Sequence, residues 1–452
     1  MEDTIAAIAT APGVGAISII RVSGQEAIEK VNSVFQGKNL MSVQSHTIHY
    51  GFIVNDTQKI DEVLVSVMKQ PKTFTTEDVV EINCHGGLAT TKKILELLLQ
   101  TGIRLAEPGE FTKRAFLNGR IDLLKAESIM DIISSKTDAM REMAMNQLTG
   151  KVSSMIQNLR QKIIEILANI EVNIDYPEYE DIEEMTIDLL KPRIVEIENQ
   201  IKTIIDESEN GKIIKEGINT AIIGRPNVGK SSLLNLLLEE EKAIVTEIEG
   251  TTRDTVEGEI LIDGILFRMI DTAGIRATED KVEQIGVEKS RKLIEKADLV
   301  LYVINQNQPL NEEDIEIIEN LKNKNHILIV NKTDLPSVID MSNYEKEHPI
   351  VYISTLEVKG IDVLKDKIKE LFELEKIKDK NLNYLTNARS IAILKNTLDE
   401  IEAVKKGIAE NQPIDMIEID LKEIWNLLGE IIGETYQDEL INQLFSQFCL
   451  GK

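Results

Sequence analysis

One nonapeptide constrains this chain more than any other feature. Gly224-Arg225-Pro226-Asn227-Val228-Gly229-Lys230-Ser231-Ser232 follows the apolar run Ala221-Ile222-Ile223 and leads into an apolar-rich stretch, Ser232 to Leu238. It fits G-x-x-x-x-G-K-[ST] in the strand–loop–helix setting that this pattern requires. Its glycines let the backbone curl until the N–H groups face a bound phosphate, aided by the helix N-terminus that follows. In such a loop Lys230 neutralises the β- and γ-phosphates and the Ser231 hydroxyl binds Mg²⁺. Further apolar runs, each followed by a helix-like stretch, are Leu266–Ile270, Leu299–Ile304, His326–Val330 and Ile350–Ile353. That alternation predicts a largely parallel sheet covered by helices.

Three more elements stand in order along the same region. Asp271-Thr272-Ala273-Gly274 ends one apolar run, where the carboxylate holds a magnesium water and the Gly274 N–H senses the γ-phosphate. Asn331-Lys332-Thr333-Asp334 ends another. Its Asp334 carboxylate accepts from both guanine N1–H and N2–H₂, whereas adenine sets an acceptor against it. An unpaired buried polar group of that kind costs about 10⁴-fold or more in selectivity. Thr251-Thr252-Arg253-Asp254 lies between the phosphate loop and Asp271, and Thr252 is the simplest second magnesium ligand. Ser354-Thr355-Leu356 follows the last apolar run and is a candidate cap on the base. Together these elements specify GTP.

The element Asp271–Gly274 is followed by Ile275, where a Ras-like GTPase carries the glutamine that orients water. Isoleucine cannot hydrogen-bond water, so hydrolysis needs help from elsewhere. Arg253 and Arg276 are candidates to stabilise charge and Glu283 to orient water; solvated loop charges are the alternative for all three.

The whole chain has 452 residues, enough for two to four domains. Its net charge of −26 excludes a self-sufficient nucleic-acid binder with a broad basic surface. The charge is uneven: −1 over 1–120, −8 over 121–215, −11 over 216–380 and −6 over 381–452. Ala16–Val22 and Val63–Val67 read as strands and Thr91–Leu99 as a helix, so the first segment is a small α/β domain. Helical periodicity dominates from Ile121 to Lys212 and again after Lys380. The expected organisation is an N-terminal α/β domain (1–118), a discontinuous helical domain (119–215 and 380–452) and an inserted GTPase domain (216–379). The two cysteines favour a reducing compartment. Met1-Glu2-Asp3 carries acid where a signal peptide carries base, and no apolar run spans a bilayer; the expected location is the cytoplasm. Cys84 and His85 adjoin on a strand, which sends their side chains to opposite faces; Cys84 is therefore read as structural. Cys449-Leu450-Gly451-Lys452 meets the prenylation spacing, but Gly451 and Lys452 fit that pattern poorly.

Several runs together carry a family resemblance. They are the phosphate loop with Asn227, Thr251–Asp254, His85-Gly86-Gly87, Gly109-Glu110-Phe111-Thr112, Arg114-Ala115-Phe116-Leu117-Asn118 and the terminal Phe448-Cys449-Leu450-Gly451-Lys452. Over its whole length the chain resembles the tRNA-modification GTPase family called MnmE or TrmE. The resemblance implies an N-terminal α/β domain that dimerises, a helical domain and an inserted Ras-like domain. It implies K⁺ beside the phosphates, held by Asn227, Thr246, Ile248 and Thr251, with Glu283 orienting water. The GTP contacts it implies are Asn227 to Ser232, then Thr246, Glu247, Ile248, Glu249, Gly250, Thr251 and Thr252. The set continues with Asp271, Thr272, Ala273 and Gly274, and closes with Asn331, Lys332, Asp334 and Ser354. A tetrahydrofolate carrier (5,10-methylene- or 5-formyl-) is implied at Arg21, Glu81, Arg120 and Lys452, with Cys449 the candidate catalytic cysteine. Folate supplies the one-carbon unit, and an FAD-dependent partner (MnmG or GidA), in a heterotetramer with a homodimer of this chain, supplies redox chemistry. The substrate implied is wobble uridine U34 of certain tRNAs. The rival expectation is an Era- or Der-like ribosome-assembly GTPase, which the terminal tetrapeptide and the folate-type residues disfavour.

Overall fold

The structure, a computed structural model, describes residues 3–56, 58–175, 187–240, 256–270, 287–374, 385–435 and 438–451. Contact density gathers the chain into two units. One holds Met1–Met130, Gln147–Asn199 and Ala392–Lys452, and the other Asp131–Asn146 and Gln200–Ile391.

The first unit is built on strands β1 (Ile5–Ile8), β2 (Ile17–Ser23), β3 (Phe35–Gly37), β4 (Thr47–Asn55), β5 (Gln58–Met68), β6 (Val79–His85) and β7 (Arg104–Leu105). Among the described residues they form one sheet in the order β3-β4-β5-β6-β2-β1-β7. The pairings are antiparallel except β1 with β7. Period-two alternation fixes the faces: Val63, Val65 and Val67 on β5 and Val80, Ile82 and Cys84 on β6 point into one core. The helices Ala27–Val34 and Leu88–Gln100 bury Ile28, Val31, Ile94 and Leu98 in that core. The opposite face is partly covered by a smaller cluster of Ile5, Ala7, Ala106 and Phe111, with Phe74 packed against it.

Helical segments complete this unit. Lys151–Asp175 packs along Ile414–Ile432, and the Arg160 guanidinium lies 4.1 Å from the Trp425 ring centre. The last helix, Asp438–Ser446, sends Ile441 and Phe445, with Phe448 beyond it, into a cluster with Phe116, Leu123 and Ala126. Gly109 sits under this contact. A Cβ there would be 2.5 Å from the Phe445 carbonyl oxygen, and its φ of +69° is itself a glycine conformation.

The second unit contains β8 (Ile218–Ile223), β9 (Val256–Ile262), β10 (Ile265–Ile270), β11 (Leu299–Asn305), β12 (His326–Asn331) and β13 (Ile350–Tyr352). The order is β13-β12-β11-β8-β10-β9, parallel throughout except β9 against β10. β11 and β12 are buried at every position, as expected of strands with helices on both faces. Met140 and Met143 share a core with Ile218, Leu233, Ile260 and Phe267, so the segment 131–146 groups with this sheet. β9 is not among the strands expected from the apolar runs: its polar residues Glu257 and Glu259 alternate with Val256, Ile260 and Ile262 at the edge of the sheet. No helix among the described residues is long and apolar enough to cross a membrane.

Candidate functional site

At the carboxyl end of β8 the chain turns into a loop that only glycine permits at two points. Gly224 has φ +147° and a Cβ on it would be 2.3 Å from the Val303 carbonyl oxygen. Gly229 has φ +103°, and its Cβ would be 2.1 Å from Asn331 Nδ2. Between them Val228 is buried in the core, which pulls the loop inward, while Pro226 and Asn227 stay exposed. Asn227 adopts φ +61°, a left-handed conformation that asparagine tolerates better than most residues. The helix Lys230–Glu240 starts immediately afterwards, with Leu233 N–H donating to the Gly229 carbonyl at 2.9 Å. Lys230 Nζ donates across the loop to the Gly224 and Arg225 carbonyls, both at 2.8 Å. Ser231 and Ser232 lie in the first helical turn, where N–H groups have no intrahelical acceptor.

β12 ends beside this loop. The fully buried Asn331 donates from Nδ2 to the Val228 carbonyl (2.8 Å) and accepts from Thr355 N–H at Oδ1 (3.1 Å). It therefore ties three loops together. Lys332, at φ +67°, donates from Nζ to the Asn227 carbonyl at 2.8 Å. Asp334 is exposed, and its Oδ1 accepts from the Oγ of the buried Ser354 at 2.6 Å, which fixes the direction of the carboxylate. Asn227 to Ser232, Asn331, Lys332, Asp334 and Ser354 thus meet at the carboxyl ends of β8, β12 and β13, the usual ligand crevice of an open parallel sheet. Two roles are not evident from sequence: Thr355 as a partner of Asn331, and Lys332 as a tie to the phosphate loop. Their only signal is adjacency to the guanine motif. Thr246, Glu247, Ile248, Glu249, Gly250, Thr251, Thr252, Arg253, Asp271, Thr272, Ala273, Gly274, Arg276 and Glu283 lie outside the described residues, as does Lys452.

In the other unit, Arg21 and Glu81 are cross-strand partners on β2 and β6. Arg21 Nε donates to Glu81 Oε1 at 2.8 Å, and the guanidinium lies 5.7 Å from the Phe111 ring centre. Arg21 Nη1 also donates to the Gly451 carbonyl at 3.1 Å, a contact 430 residues along the chain. Gly451 makes that approach possible: its φ is +87°, and a Cβ would be 2.5 Å from the Ile8 carbonyl oxygen. Cys449 is exposed, and its carbonyl accepts from Gly109 N–H at 3.2 Å. Arg120 donates to the Phe74 carbonyl at 2.8 Å with its guanidinium 5.1 Å from the Phe74 ring centre. There it lines a cavity of about 550 Å³ with His46, Lys72 and Asn118. Phe74 and Phe111, in one apolar cluster, lie beneath Arg120 and Arg21 respectively. Nothing in the sequence distinguishes either aromatic as a site residue.

Cys84 and His85 part as the strand alternation requires. Cys84 is buried, its Sγ donates to the Ser18 carbonyl at 3.4 Å, and burial pushes its thiol up. His85 is 70% exposed and binds Asp61 Oδ1 through Nδ1 at 2.7 Å; this hydrogen bond and charge raise its pKa.

A β8–loop–helix unit closed by glycines, with Asn331-Lys332-Thr333-Asp334 folded against it, defines a GTPase of the phosphate-loop class. Comparison with known proteins narrows this. The GTP-binding protein TrmE N-terminus family matches residues 4–120, and the MnmE helical domain family matches residues 123–449. The tRNA modification GTPase MnmE of Bacillus cytotoxicus is 55% identical over 459 residues, covering 100% of this chain and 99% of its own. Proteins of the same name from Ligilactobacillus salivarius (54% over 455 residues) and Streptococcus thermophilus (52% over 451 residues) each cover 100% of this chain and 98% of their own. The chain belongs to the tRNA modification GTPase MnmE family and is a GTP hydrolase.

Proposed function

We propose that this GTPase, with an FAD-dependent partner of the MnmG or GidA type, attaches an aminomethyl or carboxymethylaminomethyl group to C5 of wobble uridine U34 in certain tRNAs. One observation carries the reading beyond a plain GTPase. The segment that contains Cys449 and Gly451 is held beside Arg21 and Glu81 through the Gly451 carbonyl. A nucleotide switch alone has no use for a carboxylate–guanidinium pair closed by a segment 430 residues along the chain.

The donor set fits a folate. Glu81 accepts from a pterin amino/ring N–H edge, as Asp334 does from guanine, and Arg21 and Arg120 meet carbonyl or carboxylate oxygens. Phe74 and Phe111 supply apolar faces beside them, and Lys452 follows the anchored Gly451. When bound, a 5,10-methylene- or 5-formyl-tetrahydrofolate supplies the one-carbon unit; the protein's residues orient it and shield it. Cys449, which is exposed, is the proposed catalytic cysteine.

Around GTP, Lys230 offsets phosphate charge, and Ser231 and Thr252 are the proposed Mg²⁺ ligands. Asn227 fits K⁺ in one concrete respect: it is exposed, and Lys332 holds its backbone in a left-handed bend. The rest of the proposed potassium shell is Thr246, Ile248 and Thr251, with Glu283 orienting water in place of the glutamine that Ile275 replaces. Potassium supplies positive charge there in the manner of an arginine finger. The proposed domain limits remain 1–118, 119–215 with 380–452, and 216–379.

A homodimer is the proposed assembly, and the exposed face of the first sheet supports it. The cross-strand register sets Ile48, Ser66, Glu81, Arg21 and Ala7 in one row. Ile48, Tyr50, Leu64 and Ile17 on that side are 66%, 59%, 48% and 63% exposed, an apolar area suited to a second copy. The partner enzyme would add to this in a heterotetramer and supply electrostatic grip on tRNA that a chain of charge −26 lacks. The proposed location is the cytoplasm.

The deciding experiment is nucleoside analysis of tRNA from cells lacking this protein. Loss of the C5 substituent at U34 is expected; unchanged U34 would favour a ribosome-assembly GTPase instead.

A further inference from the structure

Arg225, the second residue of the phosphate loop, turns its charge away from the place where phosphate binds. Its partner is Asp314 on the helix Glu312–Asn320, a carboxylate only 1% exposed. Asp314 closes a capping box: its N–H donates to Asn311 Oδ1 at 2.8 Å, and its Oδ2 accepts from Asn311 N–H at 3.0 Å. Capping needs nothing more. Yet the same carboxylate also accepts at Oδ1 from the hydroxyl of Tyr302 on β11 (2.6 Å), and Oδ2 stands 3.2 Å from Arg225 Nε as an ion pair. Arg225 Nη2 donates in addition to the Pro309 carbonyl at 3.2 Å. Tyr302 is fully buried, so its hydroxyl must find an acceptor, and Asp314 is the one it has. Burial and the neighbouring carboxylate push that hydroxyl far above its ordinary range, so it stays a donor.

The consequence lies two residues further on. Arg225 is followed by Pro226, whose ring fixes φ, and then by Asn227 in its left-handed bend. Lys332 holds the far side of that bend through the Asn227 carbonyl. The loop limb 225–227 is thus fixed at both ends by charged side chains from other elements. Such a non-glycine conformation persists only where its surroundings over-determine it.

We propose that Asp314, oriented by Tyr302, is a positioning residue for the reaction: by anchoring Arg225 it sets the direction of Asn227 and so the affinity for the activating monovalent cation. This rests on the reading of Asn227 as a potassium ligand. The anchor also explains how an arginine is accommodated in the phosphate loop without competing with Lys230 for phosphate.

The test is GTP hydrolysis by the full chain, titrated with KCl while choline chloride holds ionic strength constant, with the melting temperature of the nucleotide-bound protein followed over the same titration as a direct reading of cation binding. Wild type is compared with Tyr302→Phe and Arg225→Gln. The potassium concentration for half-activation is expected to rise about fivefold in Tyr302→Phe and about tenfold in Arg225→Gln. A lower melting temperature with the half-activation point unchanged would reduce Asp314 to a helix cap and overturn the proposal. Should Tyr302→Phe fail to fold, Arg225→Gln decides alone, since that side chain keeps 20% of its surface exposed and its replacement retains a donor. Equal wild-type rates in potassium and sodium would overturn the potassium reading, and this inference with it. A potassium-dependent wild type with unshifted variants would overturn the inference alone.

Discussion

The two candidate sites are made in opposite ways. The nucleotide end of the second unit is a backbone site: Gly224 and Gly229 let main chain approach its neighbours closely, and Asn331 stitches three loops by accepting from and donating to backbone groups. The charged face of the first unit is a side-chain site. Arg21 and Glu81 stand across two strands on a sheet, the Phe111 ring lies beneath, and a segment from 430 residues away closes it. A backbone site depends on a few contiguous residues with little tolerance. A side-chain site depends on distant segments arriving together, so it fails by loss of docking.

Substitutions at the two closing glycines separate these modes. Gly229→Ala is expected to have the largest effect. Its methyl meets an Asn331 amide already pinned by Val228 and Thr355, so strain and overpacking of about 1–3 kcal/mol each fall on the phosphate loop. GTP affinity, measured by calorimetry, should fall about a hundredfold or more. Gly451→Ala is the counterpart. Its methyl would meet the Ile8 carbonyl and the Ala9 Cα at 2.5 and 2.9 Å, backbone atoms that cannot step aside. The tail should lift, Arg21 should lose its Gly451 acceptor, and 5-formyltetrahydrofolate should stabilise the variant by less than half of the wild-type shift in melting temperature. At about a hundredfold excess over Kd that wild-type shift corresponds to about 2.7 kcal/mol. Arg21→Ala should abolish it. GTP affinity in Gly451→Ala should stay within about twofold of wild type; a parallel loss would mean the two modes are not separable.

The contrast also explains which features are legible in the sequence. Phosphate loop, Asn331–Asp334 and Ser354 are short contiguous motifs, each fixed by local geometry, and the sheet that carries them announces itself by alternating apolar runs. The strand reading of β8, β10, β11, β12 and β13 follows from the same runs. Arg21, Glu81 and Arg120 carry no spacing that links them; only the family resemblance joins them. Phe74 and Phe111 are illegible because an aromatic under a guanidinium looks like any core residue. β9 escapes notice because its apolar residues Ile260-Leu261-Ile262 come only after Glu257-Gly258-Glu259, which interrupts the run with charge and glycine. The grouping of 131–146 with the second sheet rests on Met140 and Met143, whose helical spacing gives no hint of which core they enter.

The smallest expected effect sets histidines of the two units against each other. In the second unit His326 and His348 are both buried, with His326 Nε2 and His348 Nδ1 2.7 Å apart. His326 Nδ1 lies 2.8 Å from the Lys324 carbonyl, which only accepts, so this nitrogen carries the hydrogen. His326 Nε2 must then accept and His348 Nδ1 donate. Burial lowers the pKa of His348, helped by His326 and by Lys322 and opposed by Glu347 and Glu319. The unfolded chain therefore takes up a proton first as pH falls. Stability from His348 is fully present above the ordinary histidine range and is lost as pH drops through about 6.5 toward the lowered value. His85 has the opposite sign. Asp61 raises its pKa, so its contribution is present below about 6.5 and is lost as pH rises through the raised value. Because His85 is largely solvated, that contribution is the weaker of the two. Calorimetry between about pH 7.5 and about pH 5.5 should show the His326/His348 unit losing a few degrees in melting temperature. His348→Gln, which keeps a donor for His326 Nε2 and removes the titration, should flatten that slope; His85→Gln should leave it unchanged. An equal slope in His348→Gln would show that the acid sensitivity of this unit arises from its carboxylates.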